Sequence, residues 1–256
     1  MFVGTIPLVW RLSIVFLAGI GAGIANGIAG GGTFITFPTL LSLGVPALTA
    51  NITTTVGVVP SYLGSLRVFR VQLRPHKKLI ISLLPSCVLG SGLGTALLLE
   101  GSPSTFREVV PWLIGVGTVL FAVSPYVTRS LAHIDSDHRG RRWALYVGIF
   151  LVSIYGGYFG AGIGILLLAV MALALPYEIF ELQGLRNAVS MVINVVAAII
   201  FVIYGHLADQ YVVMLLFGTL IGGWLGAMLV VRLSPFFVRV LVIVVGVVTT
   251  IKLALG

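Results

Sequence analysis

Apolar residues run along this chain in long blocks, separated by short clusters of basic and polar residues. One membrane crossing needs about 20 predominantly apolar residues in a helix. On that measure the chain divides into eight segments: 8–45, 47–69, 79–99 and 109–127, then 144–175, 186–204, 211–231 and 236–255. The pattern predicts an all-α polytopic membrane protein. Two segments, 8–45 and 144–175, are too long for one straight crossing, and both carry glycines near the middle. GIANGIAGGGTFITFP holds Gly30, Gly31 and Gly32 in a row, with Pro38 shortly after. Glycine and proline both disfavour a helix interior, so a glycine-broken first segment is expected in each half.

The two halves read as copies of one unit. Shifted by 130 residues, Gly27, Gly30, Gly32 and Pro46 fall on Gly157, Gly160, Gly162 and Pro176. At an offset of 132, Phe69 falls on Phe201 and GSGLGTAL (90–97) on GGWLGAML (222–229). The expected organisation is therefore two homologous four-segment membrane repeats, 1–128 and 143–256, joined by a basic loop at 129–142. Duplicated halves are a common plan for secondary transporters, whose substrate site lies between the repeats.

Two topologies satisfy this pattern. If all eight segments cross, Arg107, Arg186, Arg232 and Arg239 lie outside, 4 of 15 basic residues. If each long segment dips in and returns, the repeats are inverted and only Arg11, Arg107 and Lys252 lie outside, 3 of 15. The positive-inside rule does not separate these counts. The inverted arrangement also accounts for the excess length and the central glycines. Both place loops 70–78 and 128–142 in the cytoplasm, at the cell membrane.

Composition narrows the function. The chain is 59% hydrophobic and 9% charged, with mean hydropathy +1.15, against roughly a quarter charged residues in soluble domains. The net charge of +8 sits in loops between apolar runs, which is a topology signal and not a nucleic-acid surface. No Asp or Glu falls within an ordinary span, and all four His lie in or beside loops. A carboxylate relay for protons or cations, a hydrolase acid–base pair and metal-ligand spacing are all missing. No cofactor, metal or enzymatic chemistry is expected, and transport of an anion fits better than transport of a cation.

The candidate site follows from the breaks. A helix restarted inside the membrane presents N–H groups and a positive dipole end that favour an anion. NGIAGGGT supplies Asn26, Gly31, Gly32 and Thr33, and GGYFGAGIG supplies Tyr158 and Gly162. Neighbouring glycines, Gly19, Gly23 and Gly27 and then Gly156, Gly160 and Gly164, stand at four-residue spacing, which suits close helix packing. The run of Gly30, Gly31 and Gly32 exceeds that need. After each break comes a span with polar side chains. The first carries Thr54 and Tyr62, with Pro60 between them, and the second carries Asn187, Ser190 and Asn194 on one face. Arg186 opens the second of these spans. It reads either as an interfacial anchor with its head at the lipid phosphates, or as the cation that attracts an anionic substrate.

The stretch GIANGIAGGGTFITFPTLLSLGVPALTANITTTVGVVPSYLGSLRVF, with a second copy ending in GLRNAVSMVINVVAAIIF, resembles the sulfite exporter TauE/SafE family. The resemblance covers essentially the whole chain and is strongest over 26–69. It implies a permease exporting sulfite, sulfoacetate or a related organosulfur anion by alternating access. Family members often carry Asn-Lys where this chain has Thr54 and Thr55, so a first-repeat lysine ligand is missing and Arg186 is the candidate to replace it. An anion channel on the same scaffold, or a non-transporting membrane scaffold, are the alternatives. The partners expected are the anion and the lipid bilayer.

Overall fold

A computed structural model describes residues 7–28, 30–131, 138–229 and 235–255. Among the described residues the chain is helical without strands. The helices are α1 (Leu8–Ile28), α2 (Thr33–Ser42), α3 (Ala47–Val68), α4 (Arg70–Leu73), α5 (Lys77–Glu100) and α6 (Pro103–Leu131). They continue as α7 (His138–Tyr158), α8 (Ile163–Ala174), α9 (Ile179–Tyr204), α10 (Asp209–Leu229) and α11 (Pro235–Leu255). Among the described residues, four helices, α1, α5, α9 and α10, are individually long and apolar enough to cross a membrane. The centre of the basic 129–142 segment, residues 132–137, lies outside the described residues, as does Arg232.

The segment 8–45 forms two helices that double back. Gly30 adopts a left-handed φ of 82°, and its N–H donates to Ala25 O at 2.8 Å, closing off α1. After α2, Gly44 (φ 83°) and the bond from Val45 N to Leu40 O (3.1 Å) end the helix, and Pro46 opens the next. Arg11 Nη2 then donates to Leu43 O at 2.8 Å, which brings the two ends of the segment together. A straight helix would hold residues 11 and 43 about 48 Å apart at 1.5 Å per residue. The segment 144–175 behaves alike. Gly160 (φ 74°) ends α7, and Gly148 lies so close to α8 that a Cβ would sit 2.7 Å from Val170 Cγ1.

Glycine determines how the helices pair. α1 runs parallel to α10: a Cβ at Gly19 would lie 3.3 Å from Gly218 Cα, and one at Gly23 2.5 Å from Gly223 N. α5 runs parallel to α7, with Gly90 against Phe150 O and Gly94 against Ile154 O. Such backbone approach is open only to residues without a side chain, and lipid-facing helices gain their association from it. At the centre α3 and α9 cross antiparallel. Asn194 meets Tyr62 there, and Phe69 lies beside Gly184. Around this crossing the hairpins interlock through aromatic rings, with Phe37 edge-on to Phe159 at 5.5 Å.

α9 begins earlier than the apolar pattern predicts. Its start is Ile179, where Glu178 and Glu181 form a reciprocal capping box. Glu181 also bonds His76 Nε2 at 3.1 Å, tying the end of the α4–α5 connection to α9. Arg186 is consequently two turns inside the helix.

Candidate functional site

Arg186 occupies the place where the two breaks meet. A Cβ on Gly30 would lie 2.7 Å from Gly164 Cα and 3.4 Å from Arg186 Nη1, so α1's end, α8's start and the guanidinium converge. The side chain is 1% exposed, which removes the interfacial-anchor reading. Its Nη2 donates to Asn26 O and to Asn187 Oδ1, each at 3.2 Å. The carbonyl end of α1 is the negative end of a helix dipole and so suits a cation. Neither contact is a counter-charge, and the ion pair found among the described residues is His76–Glu181. A guanidinium taken out of water without an anion costs several kcal/mol.

Other buried donors on α3 and α9 are incomplete in the same sense. Arg186 Nε, Asn187 Nδ2 and Thr54 Oγ1 are buried with no hydrogen-bond partner. Buried polar groups are normally paired, and an unpaired one marks strain, function or a missing ligand. Thr54 is wholly buried on α3, and Asn187 is 1% exposed on α9. Arg186 and Asn187, neighbours on α9, offer two unsatisfied donors, one of them charged, with the chemistry to receive an oxyanion. Thr54 stands apart on α3, beside the Thr53 that accepts from Ala208 N.

The other predicted residues divide into two groups. Asn194 Nδ2 reaches Tyr62 OH at 3.3 Å and Ser190 O at 2.9 Å, which joins the two polar stripes. Asn26 Oδ1 accepts from Gly32 N at 2.7 Å, while its Nδ2 donates to Ser61 Oγ at 3.1 Å. The Gly32 N–H, expected to face an anion, is therefore held by Asn26. The Gly31 carbonyl accepts from Phe34 N at 3.1 Å, and Thr33 is the buried first residue of α2. Gly162 (φ 75°) opens α8 and lies against the Phe34 ring, its Cβ position 3.3 Å from Cε2. Tyr158 contributes backbone: its carbonyl accepts from Asn51 Nδ2 at 3.0 Å and its ring packs near Phe106.

Ser61, Gly30 and Gly164 complete the arrangement and are absent from the predicted set. Gly30 belongs to the glycine run and Ser61 to the polar stripe of α3, so each carries a visible signal. What sequence cannot supply is the pairing between them. Asn26→Ala, which leaves the buried Gly32 N–H unpaired and removes the donor to Ser61 Oγ, is expected to destabilise the protein by about 1–3 kcal/mol, read as a lowered melting midpoint in detergent.

The family model described as Sulfite exporter TauE/SafE matches residues 15–253. The chain belongs to the sulfite exporter TauE/SafE family. Similar proteins include a probable membrane transporter protein of Haemophilus influenzae, 26% identical with 94% of each chain covered. The probable membrane transporter protein YfcA of Escherichia coli K12 is 23% identical, covering 94% of this chain and 89% of its own. Probable membrane transporter protein ORF9 of Sinorhizobium is 22% identical over 94% and 92%. No solved structure matches. This TauE/SafE chain is a multi-pass membrane transporter and not an enzyme, which sets aside the scaffold reading.

Proposed function

We propose that the protein exports sulfite or a related organosulfur anion, such as sulfoacetate, by alternating access across the cytoplasmic membrane. The observation that carries this reading is Arg186, a guanidinium 1% exposed with no carboxylate paired to it among the described residues, beside an unpartnered donor on Asn187. A small oxyanion would supply both the missing charge and the missing acceptors. With the interior negative, each unit of negative charge leaving gains about 2.3 kcal/mol per 100 mV, so efflux needs no nucleotide.

The scaffold for alternating access is a pair of inverted repeats, 1–128 and 143–256. Pairwise contacts support it. Gly90 abuts Phe150 O and Gly222 abuts Ile20 O, and these partners are related by the same shifts of 130 and 132 that align the halves. Asn194 meets Tyr62, its own counterpart 132 residues away, as a pair on a two-fold axis would. In that topology Arg11, Arg107 and Lys252 lie outside and loops 70–78 and 128–142 lie in the cytoplasm, a reading supported by the return of 8–45 on itself at Arg11 and Leu43.

The test uses proteoliposomes preloaded with sulfite, with and without an imposed potential, against sulfate, sulfoacetate and chloride. Saturable, potential-sensitive sulfite efflux is expected, whereas non-saturating flux would favour the channel. Thr54→Val is the informative variant. Its hydroxyl has no protein partner, so the near-isosteric change leaves the melting midpoint unchanged, while loss of a hydrogen bond to a charged ligand slows efflux about tenfold or more. Unchanged efflux in Thr54→Val would remove that residue from the site.

A further inference from the structure

A cavity lies away from Arg186, between α2, the start of α6 and the end of α11. It measures about 790 Å³, within the range of small-molecule sites, and is open on one side. Most of its lining is apolar, including Ile35, Leu48, Val244 and Val248, with hydroxyls from Thr39, Ser42 and Thr249. Two cations, Arg107 and Lys252, complete it, and no Asp or Glu lines it. Both cations are exposed and neither has an ion-pair partner among the described residues. Glu108 lines the adjoining cleft with Arg107 and Trp112, not this cavity. Arg107 stands in the second turn of α6 and Lys252 in the last turn of α11, so both charges lie at the same end of the bundle, where a membrane-spanning helix meets the headgroups.

We propose that this cavity binds an anionic phospholipid, with the phosphate between Arg107 and Lys252 and an acyl chain along the apolar wall of α2 and α11. The shape follows from the fold. α2 has only 10 residues, about 15 Å at 1.5 Å per residue, and does not fill the depth spanned by its neighbours α6 and α11. A space bounded by a short helix on one side and long ones on the other suits a chain, while the paired cations at its rim suit a headgroup phosphate. A small hydrated anion gains nothing from walls of Ile, Leu and Val, and Arg186 does not line the space. The site therefore stands on the fold and is independent of the transport reading.

Native mass spectrometry of the detergent-purified full chain tests it, with 1-palmitoyl-2-oleoyl phosphatidylglycerol and the matching phosphatidylcholine as probes. Preferential retention of one phosphatidylglycerol is expected. A cation near a lipid phosphate is worth about fivefold in affinity, so Lys252→Gln lowers the preference about fivefold and the double variant with Arg107→Gln abolishes it. Val248→Trp, which fills the apolar wall, reduces retention of both lipids. Glycerol phosphate, lacking the chain, fails to compete. Because both cations are exposed, melting midpoints of the Gln variants match the parent protein's. Equal retention of the two lipids, a preference that survives the double variant, or displacement of the lipid by sulfite would each overturn the proposal; the last would make the cavity part of the transport route.

Discussion

Arg186→Gln is expected to abolish sulfite-dependent behaviour while leaving the protein at least as stable as before. Two consequences of one buried charge produce this combination. In the free protein the guanidinium is desolvated and, among the described residues, its hydrogen bonds go to a carbonyl and an amide oxygen, so removing its charge relieves a burial cost. Glutamine brings an uncharged NH₂ donor, two bonds short of the Nη2 that reaches the Asn26 carbonyl, so it gives up that contact along with the charge. In the proposed complex the same guanidinium is the anion's charged partner, and removing one member of a buried hydrogen-bonded charge pair costs about 2–5 kcal/mol. Efflux should then fall about 30-fold or more. A ligand at 100 times its dissociation constant stabilises by about 2.7 kcal/mol, so sulfite raises the melting midpoint of the parent protein but not of Arg186→Gln. Arg186→Lys separates charge from geometry: it retains attraction but loses the planar fork, and intermediate efflux is expected. If Arg186 only capped α1, Lys and Gln would lower stability together and sulfite would still protect both. That pattern is the one that would sink the site.

The segments themselves are legible in the sequence, because a membrane-spanning helix announces itself through local composition. The spans expected at 47–69 and 211–231 differ from α3 and α10 by no more than two residues at either end. The direction of 8–45 is not local. It rests on the meeting of Arg11 with Leu43 across 32 residues, and the charge counts of the two topologies differ by a single residue in 15. Arg186 was ambiguous for a related reason. The first two turns of α9, IFELQGL, are mixed in polarity, so the apolar run appears to begin at the arginine. Only the Glu178–Glu181 cap shows that the helix is already established, and only the neighbouring hairpins make position 186 interior. Asn26 illustrates the remaining gap. Its place beside the glycine run was legible, but an Asn side chain can serve a ligand or a backbone, and nothing local says that Gly32 takes it.

The glycines can be sorted in the same physical terms, and the sorting predicts opposite signs two residues apart. Within α5, a Cβ on Gly94 would fall on Ile154 O of α7, whereas one on Gly92 would meet nothing within 4 Å. Backbone in a packed helix does not swing aside as a side-chain tip does, so Gly94→Ala must push α5 off α7. Overpacking of this kind costs about 1–3 kcal/mol. Gly92→Ala meets open space and gains helix propensity, about 0.8–1 kcal/mol in an exposed helix interior. The midpoint should therefore fall for Gly94→Ala and hold or rise for Gly92→Ala. Cys87, the only cysteine and 1% exposed, provides the readout, since a thiol-reactive dye labels it only as α5 opens. Gly226, at the corresponding place in the second half and 2.6 Å in Cβ position from Ile24 O, should follow Gly94 in sign. If Gly94→Ala and Gly226→Ala diverged, with one tolerated and the other not, the two parallel helix pairs would not be equivalent contacts. The duplication would then be a feature of sequence spacing without a matching symmetry in the bundle, and the case for two hairpins rocking about a shared site would lose its main structural support.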